Sequence, residues 1–306
     1  LNSTSKPRNV VTLKQASVMA EKGKYAIGSF SPRYTPVIQA VLRAAQKAQS
    51  PFICQISQKE LERYGITPKE FADEFYARLQ SEGITVPAVL HLDHTKTFSV
   101  IQEAVEAGFT SIMIDASEKP FEENVRISKE AVEFAHAHGV SAEAELGMIG
   151  TTDYIETDND EELYTDPQEA KRFVEGTGVD SLAVSVGTAH GVYMVKEPKI
   201  DFARLEAIRQ LTPVHLVLHG GSGVPAWMIE KAIRLPQGGV SKVNIATDLE
   251  LSLLEALGRE ERMTNAELKA LPPEELNAGL AAVEATVLDK IANFLGSQGQ
   301  AADFTL

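Results

Sequence analysis

The sequence predicts an α/β protein of the (β/α)8 barrel class with extra C-terminal helices, and three observations carry that expectation. Eight short apolar, β-branched runs are bounded by Gly, Pro or polar residues, and segments of helical spacing alternate with them. Eight such units fit the about 250 residues typical of a closed barrel, within a chain of 306. No G-x-G-x-x-G turn follows the first run, which disfavours a doubly wound open sheet.

In chain order the strand runs are Tyr25–Ser31, Pro51–Ser57, Val86–Leu92, Thr110–Asp115, Gly139–Leu146, Asp180–Gly187, Val214–His219 and Val240–Ala246. Between them, Pro36–Ala48, Thr97–Ala107, Phe121–Ala137, Asp166–Gly176, Phe202–Gln210 and Pro225–Ile233 repeat apolar residues at helical spacing, so successive strands should lie parallel. Leu249–Gly258 and Pro273–Leu295 read as further helices whose Ala- and Leu-rich faces either cover the barrel or meet a second subunit. The expectation is one domain over 1–306, with the barrel at about 10–250 and the helical extension at about 251–306. The acidic run Asp153–Glu162 follows the fifth strand and reads as a solvated loop or an active-site lid.

Composition narrows the function. With 29 Lys+Arg against 43 Asp+Glu, the net charge of −14 repels a phosphate backbone and argues against nucleic acid or an anionic membrane as partner. The single Cys54 rules out an internal disulfide and a cysteine-rich metal site, and fits a reducing compartment. No apolar run reaches the about 18 residues of a membrane span, and Leu1–Val11 lacks the apolar centre of a signal peptide. A cytoplasmic setting is expected.

Polar residues gather where such a barrel builds its active site, at the C-terminal ends of the strands. The third run ends His91-Leu-Asp-His94, the fifth carries Glu143-Ala-Glu145-Leu-Gly147, the sixth ends Gly187-Thr-Ala-His-Gly191 and the seventh ends His219-Gly-Gly-Ser-Gly223. His94, His190 and His219 can close three corners of a tetrahedral zinc site and leave the fourth open for catalysis. Any one of them alone would read as a hydrogen-bonded histidine, but three at matched strand ends favour a metal. His136, His138 and His215 lie away from this end and read as structural or surface residues.

Asp93 is placed to act as general acid or base on a metal-bound substrate, or else to orient a histidine. Glu143 and Glu145 share a strand face, so one suits a metal ligand and the other a buried structural acid. Gly220-Gly-Ser-Gly223 and Asn244-Ile-Ala-Thr-Asp248 follow the seventh and eighth runs, where barrels hold phosphate with backbone N–H groups and hydroxyls. A phosphorylated small-molecule substrate is expected.

These stretches, with Ile114-Asp-Ala-Ser117, Pro120-Phe-Glu-Glu-Asn124, Gly187-Thr-Ala-His-Gly-Val-Tyr193 and Lys242-Val-Asn-Ile-Ala-Thr-Asp248, resemble the class II, metal-dependent ketose-bisphosphate aldolases from about Leu13 through Leu249. The resemblance implies zinc held by His94, His190 and His219, with Glu145 as a nearby or alternate ligand and Asp93 as the acid/base at the hydroxyl of the bond broken or made. It further implies that Gly191, Gly220, Gly221, Ser222, Asn244, Ala246 and Thr247 hold dihydroxyacetone phosphate, that Ser57 stands near the aldehyde, and that Na⁺ or K⁺ assists the phosphate. The implied reaction is reversible cleavage of a ketose 1-phosphate or bisphosphate through a metal-stabilised ene-diolate. Relatives of this kind are dimers or tetramers, so a homo-oligomer is implied. The alternatives are another metal-dependent barrel enzyme or a non-catalytic barrel that binds zinc or sugar phosphate.

Four departures from the family pattern stand out. Gly28-Ser-Phe-Ser31 replaces a Pro-Ala-Phe-Asn stretch, Asp115-Ala-Ser-Glu118 lacks a His after the serine, and Gly150–Glu156 departs from a Gly-Gly-x-Glu-Asp lid. Asp153 and Glu156 are therefore both candidates for the acid that serves the ene-diolate carbon. Leu271–Asn277 lacks the Asp-Pro-Arg whose arginine grips the far phosphate, which predicts weaker recognition of a phosphorylated aldehyde. Arg33 is an extra cation, either meeting an acid group on a different aldehyde or solvated.

Overall fold

A computed structural model describes residues 7–148, 163–191 and 198–304. Eight parallel strands close in chain order: β1 (Ile27–Phe30), β2 (Phe52–Ser57), β3 (Ala88–Thr95), β4 (Ser111–Ile114), β5 (Ser141–Leu146), β6 (Ser181–Val184), β7 (His215–Leu218) and β8 (Val240–Ile245). Each falls within its expected run except β3, which passes Leu92 to Thr95. Its pairing with β4 shifts register between Leu92 and Thr95, carrying Asp93 and His94 onto the rim.

The two-residue period sorts each strand. Phe52, Cys54 and Ile56 of β2, Leu90 and Leu92 of β3, Ala142, Ala144 and Leu146 of β5, and Val243 and Ile245 of β8 join the large apolar core beneath the helices. Their alternates point inside: Gln55, His91, Asp93, Glu143, Glu145, Lys242 and Asn244, all buried. The barrel interior is therefore apolar at its base and polar from mid-height upward.

Around the barrel run α1 (Leu13–Gly23), α2 (Ile38–Ala48), α3 (Gln58–Tyr64), α4 (Pro68–Ser81), α5 (Phe98–Ala107), α6 (Phe121–Ala137), α7 (Pro167–Thr177), α8 (Phe202–Leu211), α9 (Ala226–Ile233), α10 (Thr247–Ala256), α11 (Asn265–Lys269) and α12 (Pro273–Lys290), the last continuing into a π-helical turn at Ile291–Leu295. A capping box starts α1, with the Thr12 hydroxyl accepting from the Gln15 N–H and the Gln15 side chain accepting from the Thr12 N–H. This helix lies across the N-terminal end of the barrel and touches β1, β3, β5, β7 and β8. Its Leu13, Ala16 and Ala20 pack onto Ile27, Ile53 and Val89 and seal the base. At the other end of the chain, α12 packs on α2 and α10, so the C-terminal extension covers the barrel flank. No helix among the described residues is long and apolar enough to cross a membrane.

Candidate active site

The three histidines meet. His94 on β3, His190 in the loop after β6 and His219 just beyond β7 each offer a ring nitrogen within 4.8 Å of the others, and the His94 ring lies 4.5 Å from that of His219 and 5.0 Å from that of His190, centroid to centroid. Each ring of the β3–β7 pair is fixed through one nitrogen: His94 Nδ1 is 2.8 Å from Asp115 Oδ2, and His219 Nε2 is 2.9 Å from Glu143 Oε1. What remains is His94 Nε2, His219 Nδ1 and Glu145 Oε2, three buried polar atoms with no hydrogen-bond partner. His219 Nδ1 and Glu145 Oε2 stand 3.0 Å apart without hydrogen-bond alignment. Buried polar atoms without partners are rare because they forfeit hydration, and three clustered beside His190 suit a divalent metal with imidazole and carboxylate ligands.

Electrostatics agree with that donor set. Burial opposes charge on His94, but Asp93, Asp115 and Glu145 push its pKa up to about 10, so negative potential concentrates where a cation would sit. Burial, reinforced by His94 and His219, lowers His190 to about 3 and keeps its ring neutral.

Asp93 lies beside this cluster, nearly buried and clamped. Asn244 Nδ2 donates to its two oxygens at 3.2 and 3.3 Å, and Gln55 Nε2 donates at 3.3 Å. Burial works against ionisation, yet His94 and Lys242 hold the carboxyl below the usual range, so it stands ready as a proton acceptor. Gln55 is itself held, donating to Ser31 at 3.0 Å and accepting from Ser29.

The loops after β7 and β8 form the adjoining wall. Gly220 has φ +66°, and a Cβ there would come within 2.4 Å of the Ala189 carbonyl oxygen. The Gly221 N–H is committed to the Asn244 carbonyl at 3.0 Å, so this glycine serves close packing. Gly191, Gly220, Ser222, Asn244, Ala246 and Thr247 line one cavity of about 400 Å³ with Asp93, His94 and His190. Ala246, the N-cap of α10, and Thr247 line the cavity, so this helix turns its N-terminal end toward it, an arrangement suited to phosphate, with the Asp248 N–H donating to Ser222 Oγ at 3.2 Å.

Comparison with known proteins decides the family. The model of class-II fructose-bisphosphate aldolases matches residues 11–300. The chain belongs to this family.

Among relatives, the fructose-bisphosphate aldolase of Geobacillus stearothermophilus is 40% identical over 96% of this chain and 99% of its own length. That of Staphylococcus epidermidis is 37% identical over 93% and 97%. The crystal structure of the YdjI aldolase from Escherichia coli superposes with a TM-score of 0.80 at 34% identity, covering 95% of this chain and 99% of that one. The protein is thus a class II aldolase, a carbon–carbon lyase on a (β/α)8 barrel.

Within this aldolase the remaining expected residues fall out unevenly. Ser57 lines the cavity, but its hydroxyl caps α3, accepting from the Glu60 N–H at 3.2 Å and donating to Glu60 Oε2 at 3.1 Å. Arg33 is not solvated: it is 8% exposed, with φ +64°, and its guanidinium bonds Glu60 Oε1 at 3.1 Å and pairs with Glu250. Its charge is therefore met by these two carboxylates, while its side chain lines the same cavity as Asp93. Glu250 also takes a bidentate grip from Arg262 at 2.7 and 2.9 Å. Asp153 and Glu156 lie outside the described residues.

Sequence reasoning overlooked Gln55, Lys59, Arg63, Lys242 and Arg262. Gln55 and Lys242 carried a readable signal, since a polar side chain amid an apolar strand run must find buried partners. Lys59, Arg63 and Arg262 offered none, because exposed cations on a helix or loop are ordinary surface.

Proposed function

We propose that this aldolase is zinc-dependent and reversibly cleaves a ketose 1-phosphate or ketose bisphosphate to dihydroxyacetone phosphate and an aldehyde. The observation that carries the reading is the group of unpartnered ligand atoms on His94, His219 and Glu145, with His190 beside them and a clamped carboxylate on Asp93. Bound there, zinc would act as a Lewis acid, drawing electrons from the ketose carbonyl and stabilising an ene-diolate.

The chain's own groups do the rest. Ser222, Thr247 and the N-terminal turn of α10 hold the 1-phosphate at one side of the cavity. Asp93 takes the proton of the hydroxyl at the bond being broken and returns it in condensation. Gln55 and Asn244 fix which carboxylate lone pair faces that hydroxyl, so little reorganisation is required at the moment of transfer.

Beyond Asp93 the cavity wall carries Arg33, Lys59, Arg63 and Arg262. Glu60 and Glu250 answer Arg33 and Arg262, while no ion pair engages Lys59 or Arg63 among the described residues. This surplus of positive charge offsets the missing Asp-Pro-Arg and favours an aldehyde with an anionic end, so bisphosphates should compete well with 1-phosphates.

A coupled assay for dihydroxyacetone phosphate release, run over ketose 1-phosphates and 1,6-bisphosphates with zinc and with chelator, tests the reading. Zinc-dependent release is expected, and absence of release from every member of the panel overturns it.

A further inference from the structure

Lys242 is fully buried in the middle of β8 and does not line the cavity. A lysine ammonium inside a barrel is expensive unless paired. Its Nζ lies 2.7 Å from Glu143 Oε2, 3.3 Å from His91 Nε2 and 3.9 Å from Asp93 Oδ1, while His91 Nδ1 is 2.8 Å from Ser111 Oγ. Since Lys242 donates to His91 Nε2, the His91 proton sits on Nδ1 and points at Ser111. The other oxygen of Glu143 faces His219 Nε2 at 2.9 Å. An ionised carboxylate only accepts, so it takes the Nε2 proton of His219 and leaves Nδ1 as the lone-pair donor.

That Nδ1 is the atom facing Glu145 in the candidate metal cluster. A nucleophilic role for the lysine fits poorly, because an amine that attacks a carbonyl must be unpaired and open to substrate. We propose that Lys242 is a positioning residue: by anchoring Glu143 it fixes the ring and tautomer of His219 so that Nδ1 presents its lone pair to the metal. The chain from lysine to glutamate to histidine ends at the metal ligand, so the inference rests on the metal reading above.

The test uses the whole chain and reads metal and tautomer rather than turnover. Zinc affinity is measured by competition with a chromogenic chelator for wild type, Lys242→Met, Glu143→Gln and the double variant. Long-range ¹⁵N–¹H spectra of the zinc-loaded, histidine-labelled protein report which His219 nitrogen keeps its proton. The expected results are an Nε2–H tautomer for His219 in wild type, zinc affinity about 10- to 100-fold weaker in each single variant, and a double variant little worse than either single one.

The double variant removes both charges together, so it avoids the uncompensated Glu143 charge that destabilises Lys242→Met. A zinc-loaded wild type in which His219 keeps its proton on Nδ1 overturns the proposal without any variant. So does a folded double variant with wild-type zinc affinity and an unchanged tautomer. Failure of wild type to bind zinc at all overturns the metal reading instead, and the positioning role falls with it.

Discussion

The two ends of this barrel use the same side chains to opposite purposes. At the N-terminal base, Asp180 receives His136 at 2.7 Å, Lys14 at 2.9 Å and the Ala142 N–H at 2.9 Å, and Glu21 receives both Arg209 and His215 at 2.9 Å. Both carboxylates at this end are met by donors of the protein itself, and α1 covers the opening. At the C-terminal rim, His94, His219 and Glu145 each keep one buried atom without a partner. Imidazole and carboxylate therefore do not mark function by their presence. What separates the ends is whether the chain itself supplies the last partner, since a buried polar atom left open is stable only when something else completes it.

The strongest way to break this contrast is at Asp93. Asp93→Asn keeps the shape but removes the proton acceptor, so dihydroxyacetone phosphate release should fall by about 10²- to 10⁴-fold with zinc affinity and melting temperature little changed. A loss below tenfold would remove Asp93 from the chemistry.

Next in size is the metal itself. Zinc at 100 times its dissociation constant should stabilise the fold by about 2.7 kcal/mol, read as a chelator-reversible rise in Tm. Substituting His190 should abolish that rise, whereas substituting His215 at the base should leave it in place.

At the base the expected loss is in stability alone. Asp180→Asn should cost about 1.5–3 kcal/mol, the range for hydrogen bonds to a charged group, with turnover per folded molecule unchanged. Burial opposes ionisation of Asp180, but the Ala142 N–H, His136 and Lys14 lower its folded-state pKa. The stabilisation is therefore complete above the unfolded value near 3.8 and is lost as pH falls through the lowered folded value. Denaturation curves of wild type and variant should converge in that acid range, and a constant gap down to pH 2 would contradict the assignment.

Smallest of the set is the cap of α1. Thr12→Ala should remove about 1 kcal/mol without touching zinc affinity, and a measurable drop in that affinity would mean that the base and rim are coupled.

Much of the barrel was legible because its strands are buried on both faces and so stand out as apolar runs. The exception inside those runs was informative in hindsight. Glu143 and Glu145 share a face by the two-residue period, and the structure makes Glu143 the buried acid between Lys242 and His219 while Glu145 faces the histidine cluster. Nothing local says which is which, since their partners lie on β7 and β8. Lys242 stood out as a cation in an apolar run, but its partner did not, with the glutamate 99 residues away along the chain.

The helices went differently. α1, α3, α4 and α11 were not anticipated, although Thr12-x-x-Gln15, Ser57-x-x-Glu60, Thr67-Pro-x-Glu70 and Thr264-x-x-Glu267 each form a capping box. The buried faces of α1, α3 and α11 are short or built from small residues, such as Ala16, Ser17 and Ala20 of α1, so hydrophobic periodicity alone does not reveal them, whereas α4 repeats Phe71, Phe75 and Leu79 every four residues and was readable. At the site, the histidines and Asp93 were legible from strand-end position. The clamp by Gln55 and the ion pairing of Arg33 depend on neighbours brought together only by closure of the sheet.

The helix across the base also closes that end of the barrel to small molecules. With α1 across the base, the cavity opens among the described residues at the opposite, C-terminal end of the barrel, where sugar enters and cleavage fragments leave. Fragments leave past the same residues that receive the sugar, so a fragment that lingers occupies the site of the next sugar. Each cleavage product should therefore compete with fresh sugar for the same cavity, whose floor is the polar barrel interior around Gln55 and Asp93.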